Sequence, residues 1–290
     1  MTALPYVLSV IGASAYAVRM PAFQVGREVW LSQGRALEIP FDHDPAQVLA
    51  RARHHFADQP VDVNVLAAAG RRKKLLIADM DSTIIDCECL DELAGMAGLK
   101  DQVSAITERA MRGELDFAEA LRERVAMLKG LELAALARVH GERIRLNPGA
   151  RTLLATMRAN GAHTLLVSGG FSYFTSRVAK DAGFHADQAN ELLHDGAALT
   201  GLVGEPILGR EAKLAALETA VSELGIAAAD VLAVGDGAND LAMIRRAGLG
   251  VAYYAKPIVA DAAGASIRHG DLTALLYLQG YCDDEIVRAE

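Results

Sequence analysis

Two aspartates, Asp79 and Asp81, lie in Asp79-Met80-Asp81-Ser82-Thr83, directly after the apolar run Leu75-Leu76-Ile77-Ala78. In an extended segment residues two apart point the same way, so both carboxylates are expected to face one ligand. A second acidic group, Gly235-Asp236-Gly237-Ala238-Asn239-Asp240, follows the apolar run from Val231 to Val234. Oxygen donors from two such segment ends suit a hard divalent cation such as Mg2+. Ser168, with the backbone amides of Gly169 and Gly170, has the form of an anion-binding turn at a helix start. Each feature also has a plainer reading. The aspartates could belong to surface loops, the Ser-Gly-Gly turn could merely reverse the chain, and Lys213 could be a solvated charge on a helix.

The elements needed to carry these residues are readable from hydrophobic patterning. Leu75 to Ala78, Thr164 to Val167, Val231 to Val234 and Leu249 to Ala252 are short continuous apolar runs, the pattern of parallel strands buried on both faces. Helical patterns separate them at Gly149 to Asn160, Tyr173 to Ala182, Glu211 to Leu224 and Asp240 to Ala247. Strands alternating with helices predict an α/β fold with a doubly wound, mostly parallel sheet, whose ligand crevice lies beyond the carboxyl ends of the strands. Three of the four runs end in polar, Gly-rich sequence, so those ends are expected to converge. Over about residues 86–147 the strand signal gives way to helical spacing, as in Leu90, Leu93, Ala94 and Ala97, then Phe117, Leu121, Val125 and Leu128. This predicts a helical insert over the site. Met111 and Phe117 are candidates for its apolar cover, or for ordinary packing within it.

Before residue 73 the pattern differs. Tyr6 to Ile11 reads as a strand, Glu28 to Leu31 and Ala36 to Pro40 as a hairpin, Pro45 to Ala57 as an amphipathic helix, and Val61 to Leu66 as a further strand. Between Ala13 and Gly26 the hydrophobic pattern is irregular. The small and basic run Ala67 to Lys74 reads as a linker. The expected division is a small N-terminal α+β domain over residues 1–72 and a larger domain over 73–290. The small one could serve ligand sensing, packing or dimerisation.

The 290 residues are 52% hydrophobic and 23% charged, enough apolar material for a substantial core. A net charge of −8 argues against a nucleic-acid partner, whose phosphates require a basic surface. Leu4 to Val18 is uncharged but has no preceding Lys or Arg and is interrupted by Pro5 and Gly12, so it does not read as an export signal. No apolar run approaches the length of about 20 residues that spans a bilayer, so no membrane partner is expected. Cys87, Cys89 and Cys282 form no disulfide framework and have no companion metal ligands, which fits a reducing cytoplasm.

Taken in order, Asp79-Met80-Asp81-Ser82-Thr83, Ser168-Gly169-Gly170, Lys213 and Gly235-Asp236-Gly237-Ala238-Asn239-Asp240 resemble the four motifs of the haloacid-dehalogenase-like superfamily, over roughly residues 73–285. Within it the chain is similar to the phosphoserine phosphatases. Their first motif continues to a glutamate matched by Glu88, and their cap carries an arginine matched by Arg124, after Met111-Arg112-Gly113-Glu114-Leu115-Asp116-Phe117. Without the resemblance, these two would read as surface residues. The resemblance implies an Mg2+-dependent phosphatase in which Asp79 is the nucleophile and Asp81 the general acid and base. It implies a metal site formed by Asp79, the Asp81 backbone carbonyl and Asp236, and phosphate contacts from Ser168, Gly169 and Lys213. Glu88 and Arg124 would read the amino-acid part of the substrate, Asn239 would contact substrate or Lys213, and Asp240 would orient the metal shell or Lys213. Phosphoserine is the implied substrate and serine biosynthesis the implied setting. A phosphohomoserine-type ester, a phosphotransferase and a non-catalytic sensor stand as alternatives, and a homodimer as an open assembly.

Overall fold

The computed structural model describes residues 4–12, 27–111 and 114–289. Residues 13–26, the pair Arg112-Gly113 and the side chain of Met111, a candidate for apolar cover, lie outside the described residues. The first strands are β1 (Tyr6–Ile11), β2 (Val29–Ser32) and β3 (Ala36–Phe41), followed by helix α1 (Pro45–His55) and strand β4 (Asp62–Ala67). Pro45 opens α1, where its missing N–H costs nothing, and the Asp44 carboxylate caps Ala46 N at 2.9 Å. These strands form an antiparallel sheet in the order β2-β3-β1-β4. Alternation splits the side chains of β1: Leu8 and Val10 pack with Val48 and Ala52 of α1, while Val7 and Ile11 join the core of the rest of the molecule.

After β5 (Leu75–Ala78) come four helices, α2 (Cys89–Met96), α3 (Lys100–Met111), α4 (Phe117–Ala126) and α5 (Leu133–Glu142). Helix α4 begins with a reciprocal cap, in which Asp116 accepts from Glu119 N at 2.7 Å and Glu119 accepts from Asp116 N at 2.9 Å. The chain then runs through α6 (Ala150–Ala159), β6 (His163–Phe171), α7 (Ser172–Ala182), β7 (Ala186–Asn190) and the hairpin strands β8 (Leu192–His194) and β9 (Leu199–Val203). It continues with α8 (Arg210–Leu224), β10 (Val231–Gly235), α9 (Leu241–Arg246), β11 (Leu249–Tyr253), α10 (Pro257–Ala262), β12 (Ala265–Ile267) and α11 (Ala274–Leu278).

Among the described residues the large sheet has the order β12-β11-β10-β5-β6-β7, with each neighbouring pair parallel. Leu76, Ala78, Val234 and Val251 face one side, while Leu75, Ile77, Ala233 and Ala252 face the other, against Leu217 and Met243. Burial on both faces explains the continuous apolar runs, and the fold is the expected doubly wound α/β sheet bearing a helical insert. Strand order reverses between β5 and β10, where such sheets leave a crevice. The all-apolar Ala-Leu-Leu-Tyr-Leu of α11 is wholly buried, because it packs beneath the sheet containing β1. No described helix is long and apolar enough to cross a membrane.

Candidate active site

Asp79 leaves the end of β5 anchored by its backbone N–H to Val234 O at 3.0 Å, so the two strands flanking the crevice register its position. The chain then turns instead of running extended. Asp81 has φ −65 and ψ 137, whereas Ser82 takes φ 55, a left-handed conformation that costs a non-glycine residue energy. Ile85 N closes the turn on Met80 O at 3.0 Å. The segment after Asp79 is thus a turn and not the extended stretch expected from the sequence, with the left-handed residue Ser82 following Asp81. Its Oδ1 accepts from Cys89 N at 3.0 Å and its Oδ2 from Ser168 Oγ at 3.4 Å. Burial pushes the Asp81 carboxyl up, against the opposing hydrogen bonds from Cys89 and the nearby Lys213 charge.

Lys213, in the first turn of α8, is 2% exposed, and its ammonium lies 2.6 Å from both Asp79 Oδ1 and Asp240 Oδ1. Burial alone would depress it, but Asp79 and Asp240 outweigh burial and hold it above the ordinary lysine range. Asp240 Oδ2 also accepts from Gly237 N at 3.0 Å, which folds the acidic loop back on itself. Asn239 is half-buried beside Gly237. Asp79, Asp236 and Asp240 bring carboxylate oxygens within 4.8 Å of one another. Burial and the Asp240 charge push Asp236 up to about 6. Three carboxyl groups against one ammonium leave negative charge uncompensated, and the hard oxygen donor set fits a divalent cation such as Mg2+.

At the end of β6, Ser168 Oγ accepts from Gly170 N at 2.9 Å. A Cβ on Gly170 would stand 3.0 Å from both Asp81 Oδ2 and Ser168 Oγ, and one on Gly169 would stand 3.1 Å from the Phe117 ring. Glycine therefore permits a close approach here, and Phe117 of α4 covers the loop from the insert side. Glu88, just before α2, accepts from Ser82 Oγ at 2.7 Å and is pushed up to about 7 by burial and by Asp81 and Asp236. Arg124 is half-buried on α4, its Nε donating to Ala120 O at 3.2 Å. Burial lowers it while Asp91 and Glu88 work the other way, which puts the guanidinium within electrostatic reach of Glu88.

Two positions had no role assigned from the sequence. Ser82, quoted only as part of the first motif, tethers Glu88. Asn190, buried at the end of β7, donates to Gly169 O at 2.9 Å and Leu208 O at 3.2 Å and accepts from Leu208 N at 2.7 Å. It thus ties the Ser168 loop to the segment leading into the Lys213 helix. A lone Asn in a polar stretch carried no signal of this.

A family model described as haloacid dehalogenase-like hydrolase matches residues 73–248. A phosphoserine phosphatase of Polaromonas sp. is 46% identical over 71% of this chain and 89% of its own. Among solved structures, an unliganded probable phosphoserine phosphatase of Vibrio cholerae superposes with a TM-score of 0.79 at 29% identity, covering 96% of this chain and 88% of that one. A phospho-aspartyl intermediate analogue of phosphoserine phosphatase superposes with a TM-score of 0.65 at 38% identity, covering 71% of this chain and 98% of that one.

Proposed function

The chain belongs to the haloacid dehalogenase-like hydrolases, and from that premise we propose that it is a phosphoserine phosphatase, converting O-phospho-L-serine to L-serine and phosphate through an aspartyl-phosphate. The observation that carries the assignment of roles is the buried Lys213 bridging Asp79 and Asp240 beside Asp81 and Ser168. Asp79 attacks phosphorus, forming the acyl-phosphate bond as the bond to the seryl oxygen breaks. Asp81, whose burial favours the protonated form, gives that oxygen its proton. It then takes a proton from water, which attacks phosphorus and returns Asp79 to the carboxylate.

Lys213, the Ser168 hydroxyl and the Gly169 amide hold the phosphoryl oxygens where negative charge gathers. Asp79, the Asp81 carbonyl and Asp236 would hold Mg2+, with Asp240 orienting Lys213. The ion would offset repulsion between the phosphate and the carboxylates. Asn239 would contact the substrate. Glu88 would receive the substrate ammonium and Arg124 its carboxylate, which favours phosphoserine over other esters. The insert, about 86–147, closes over the loop through Phe117 and excludes bulk water. We further propose the division into 1–72 and 73–290, and a cytoplasmic place for the enzyme at the last step of serine biosynthesis.

The deciding experiment measures phosphate release from a panel of phosphorylated metabolites, with and without Mg2+. Phosphoserine should lead the panel and require the ion. A leading phosphohomoserine would move the substrate assignment, and no release from any ester would defeat the enzyme reading.

A further inference from the structure

Strand β4 is an edge of the small sheet and β12 an edge of the large one. Edge strands carry backbone groups that need partners. On β12 a side chain of β4 supplies them, and a second β4 side chain holds the 268–270 turn that follows. Asn64, 1% exposed, accepts from Ser266 N at 2.8 Å and donates to Ser266 O at 3.1 Å, so one carboxamide stands in for a neighbouring strand. Asp62, 4% exposed, accepts from Arg268 N at 2.6 Å, Gly270 N at 2.8 Å and His269 N at 3.2 Å. Three successive backbone amides thus converge on this buried carboxyl group. A Cβ on Gly270 would stand 3.2 Å from Asp62 Oδ2.

The other side of the same short strand reaches the acidic loop. Ile267 O accepts from Tyr254 N at 2.8 Å, and Tyr254 has φ 45, a conformation that persists only where its surroundings impose it. Two residues on, Lys256 N donates to Asp236 O at 3.3 Å. Ser266 and Ile267 therefore stand between the β4 side chains and the backbone of Asp236. A shared core stiffens the junction, since Val7, Ile11 and Leu66 of the small sheet pack in one cluster with Leu275 and Leu278 of α11.

We propose that Asp62 and Asn64 are positioning residues for Asp236: by completing the β12 edge through Asn64 and holding the turn after it through Asp62, the amino-terminal unit sets the 254–256 segment against the metal-binding loop. The inference rests on the reading of Asp236 as an Mg2+ ligand. Hydrogen-bonded groups one step behind a ligand tune metal affinity strongly, and groups further along a rigid network do so more weakly.

The test uses full-length Asp62→Asn and Asn64→Leu, with Mg2+ binding measured by titration calorimetry beside phosphoserine kinetics. Mg2+ affinity should weaken about three- to tenfold, while the KM for phosphoserine at saturating Mg2+ stays within about twofold. Asp236→Asn is the control for the underlying reading: if it binds Mg2+ like the parent, the ligand assignment fails whatever Asp62 does. If it loses binding while both β4 variants bind as tightly as the parent, the positioning inference is overturned. Amide exchange in the unaltered protein decides independently of any variant's folding. Mg2+ should slow exchange at Lys256 and at residues 266–270 together, and protection confined to the Asp236 loop would also overturn the inference.

Discussion

Charge balance governs the residue scale. Asp79 and Asp240 are buried around a single ammonium, with Asp236 close enough to share an ion with them. In this water-poor volume each charge depends on its neighbours more than on solvent. Asp79→Asn keeps the shape but removes the proposed nucleophile, and an amide does not form an acyl-phosphate. Phosphate release should fall at least about a thousandfold with the circular dichroism spectrum unchanged; near-parental turnover would exclude covalent catalysis at this residue. Glu88 supplies a pH signature. Its carboxyl is held up to about 7, so it is neutral below that pH and gains the charge that an ammonium needs as pH rises through it. In the proposed mechanism Asp81 is protonated for every ester, so its titration cancels in a ratio of substrates. The kcat/KM ratio of phosphoserine to 3-phosphoglycerate should therefore rise roughly tenfold between about pH 6 and pH 8. Glu88→Gln should flatten that profile, and a pH-independent ratio in the parent would mean that Glu88 does not read the ammonium.

At the scale of elements, the proposed function assigns to the insert a specificity that the sheet does not supply. Helix α4 carries both Phe117, against the Ser168 loop, and Arg124, one of the charges around Glu88. Leaving a charged partner unsatisfied costs about 1 to 3 kcal/mol, and about 1.4 kcal/mol corresponds to a factor of ten. Arg124→Ala should thus shrink the preference for phosphoserine over phosphoethanolamine by about 5- to 140-fold, because phosphoethanolamine has no carboxylate to lose. An unchanged ratio would remove Arg124 from the binding site. The sheet strands that position the site were legible because Leu75 to Ala78 and Val231 to Val234 are buried on both faces, and only such strands read as unbroken apolar runs. Strand β7 was not legible: Ala-Asp-Gln-Ala-Asn lies at a sheet edge, where Asp187 accepts from Thr175 Oγ1 and polar residues are no liability. Lys213 looked like any surface lysine, since nothing local to its helix shows that its partners arrive from residues 79 and 240. Asp62 and Asn64 alternated with apolar neighbours like outward-facing strand residues, yet Asn64 is buried against β12, 202 residues away in the chain, and Asp62 against the turn that follows it.

Across the whole molecule, metal binding and folding should be linked. The Asp79, Asp236 and Asp240 cluster exists only when the ends of β5 and β10 are brought together, so the unfolded chain offers no comparable site. An ion that binds only the folded state stabilises it by about 2.7 kcal/mol at a concentration of roughly 100 times its Kd. For a chain near this size, about 1 kcal/mol moves the melting temperature by roughly 2 °C, so saturating Mg2+ should raise it by about 5 °C over the chelated protein. The sign follows from the charges: burial, which strips water from the carboxylate, and then the negative charge of Asp240 push Asp236 up, and a bound cation offsets both. Activity should vanish in EDTA and return with Mg2+, in step with the thermal shift. Asp236→Asn should lose most of that shift, because the amide neither coordinates a hard cation as strongly nor contributes to the repulsion. If Mg2+ raised the melting temperature of Asp236→Asn as much as that of the parent, the ion would be binding elsewhere, for instance among the exposed carboxylates of a protein carrying a net charge of −8.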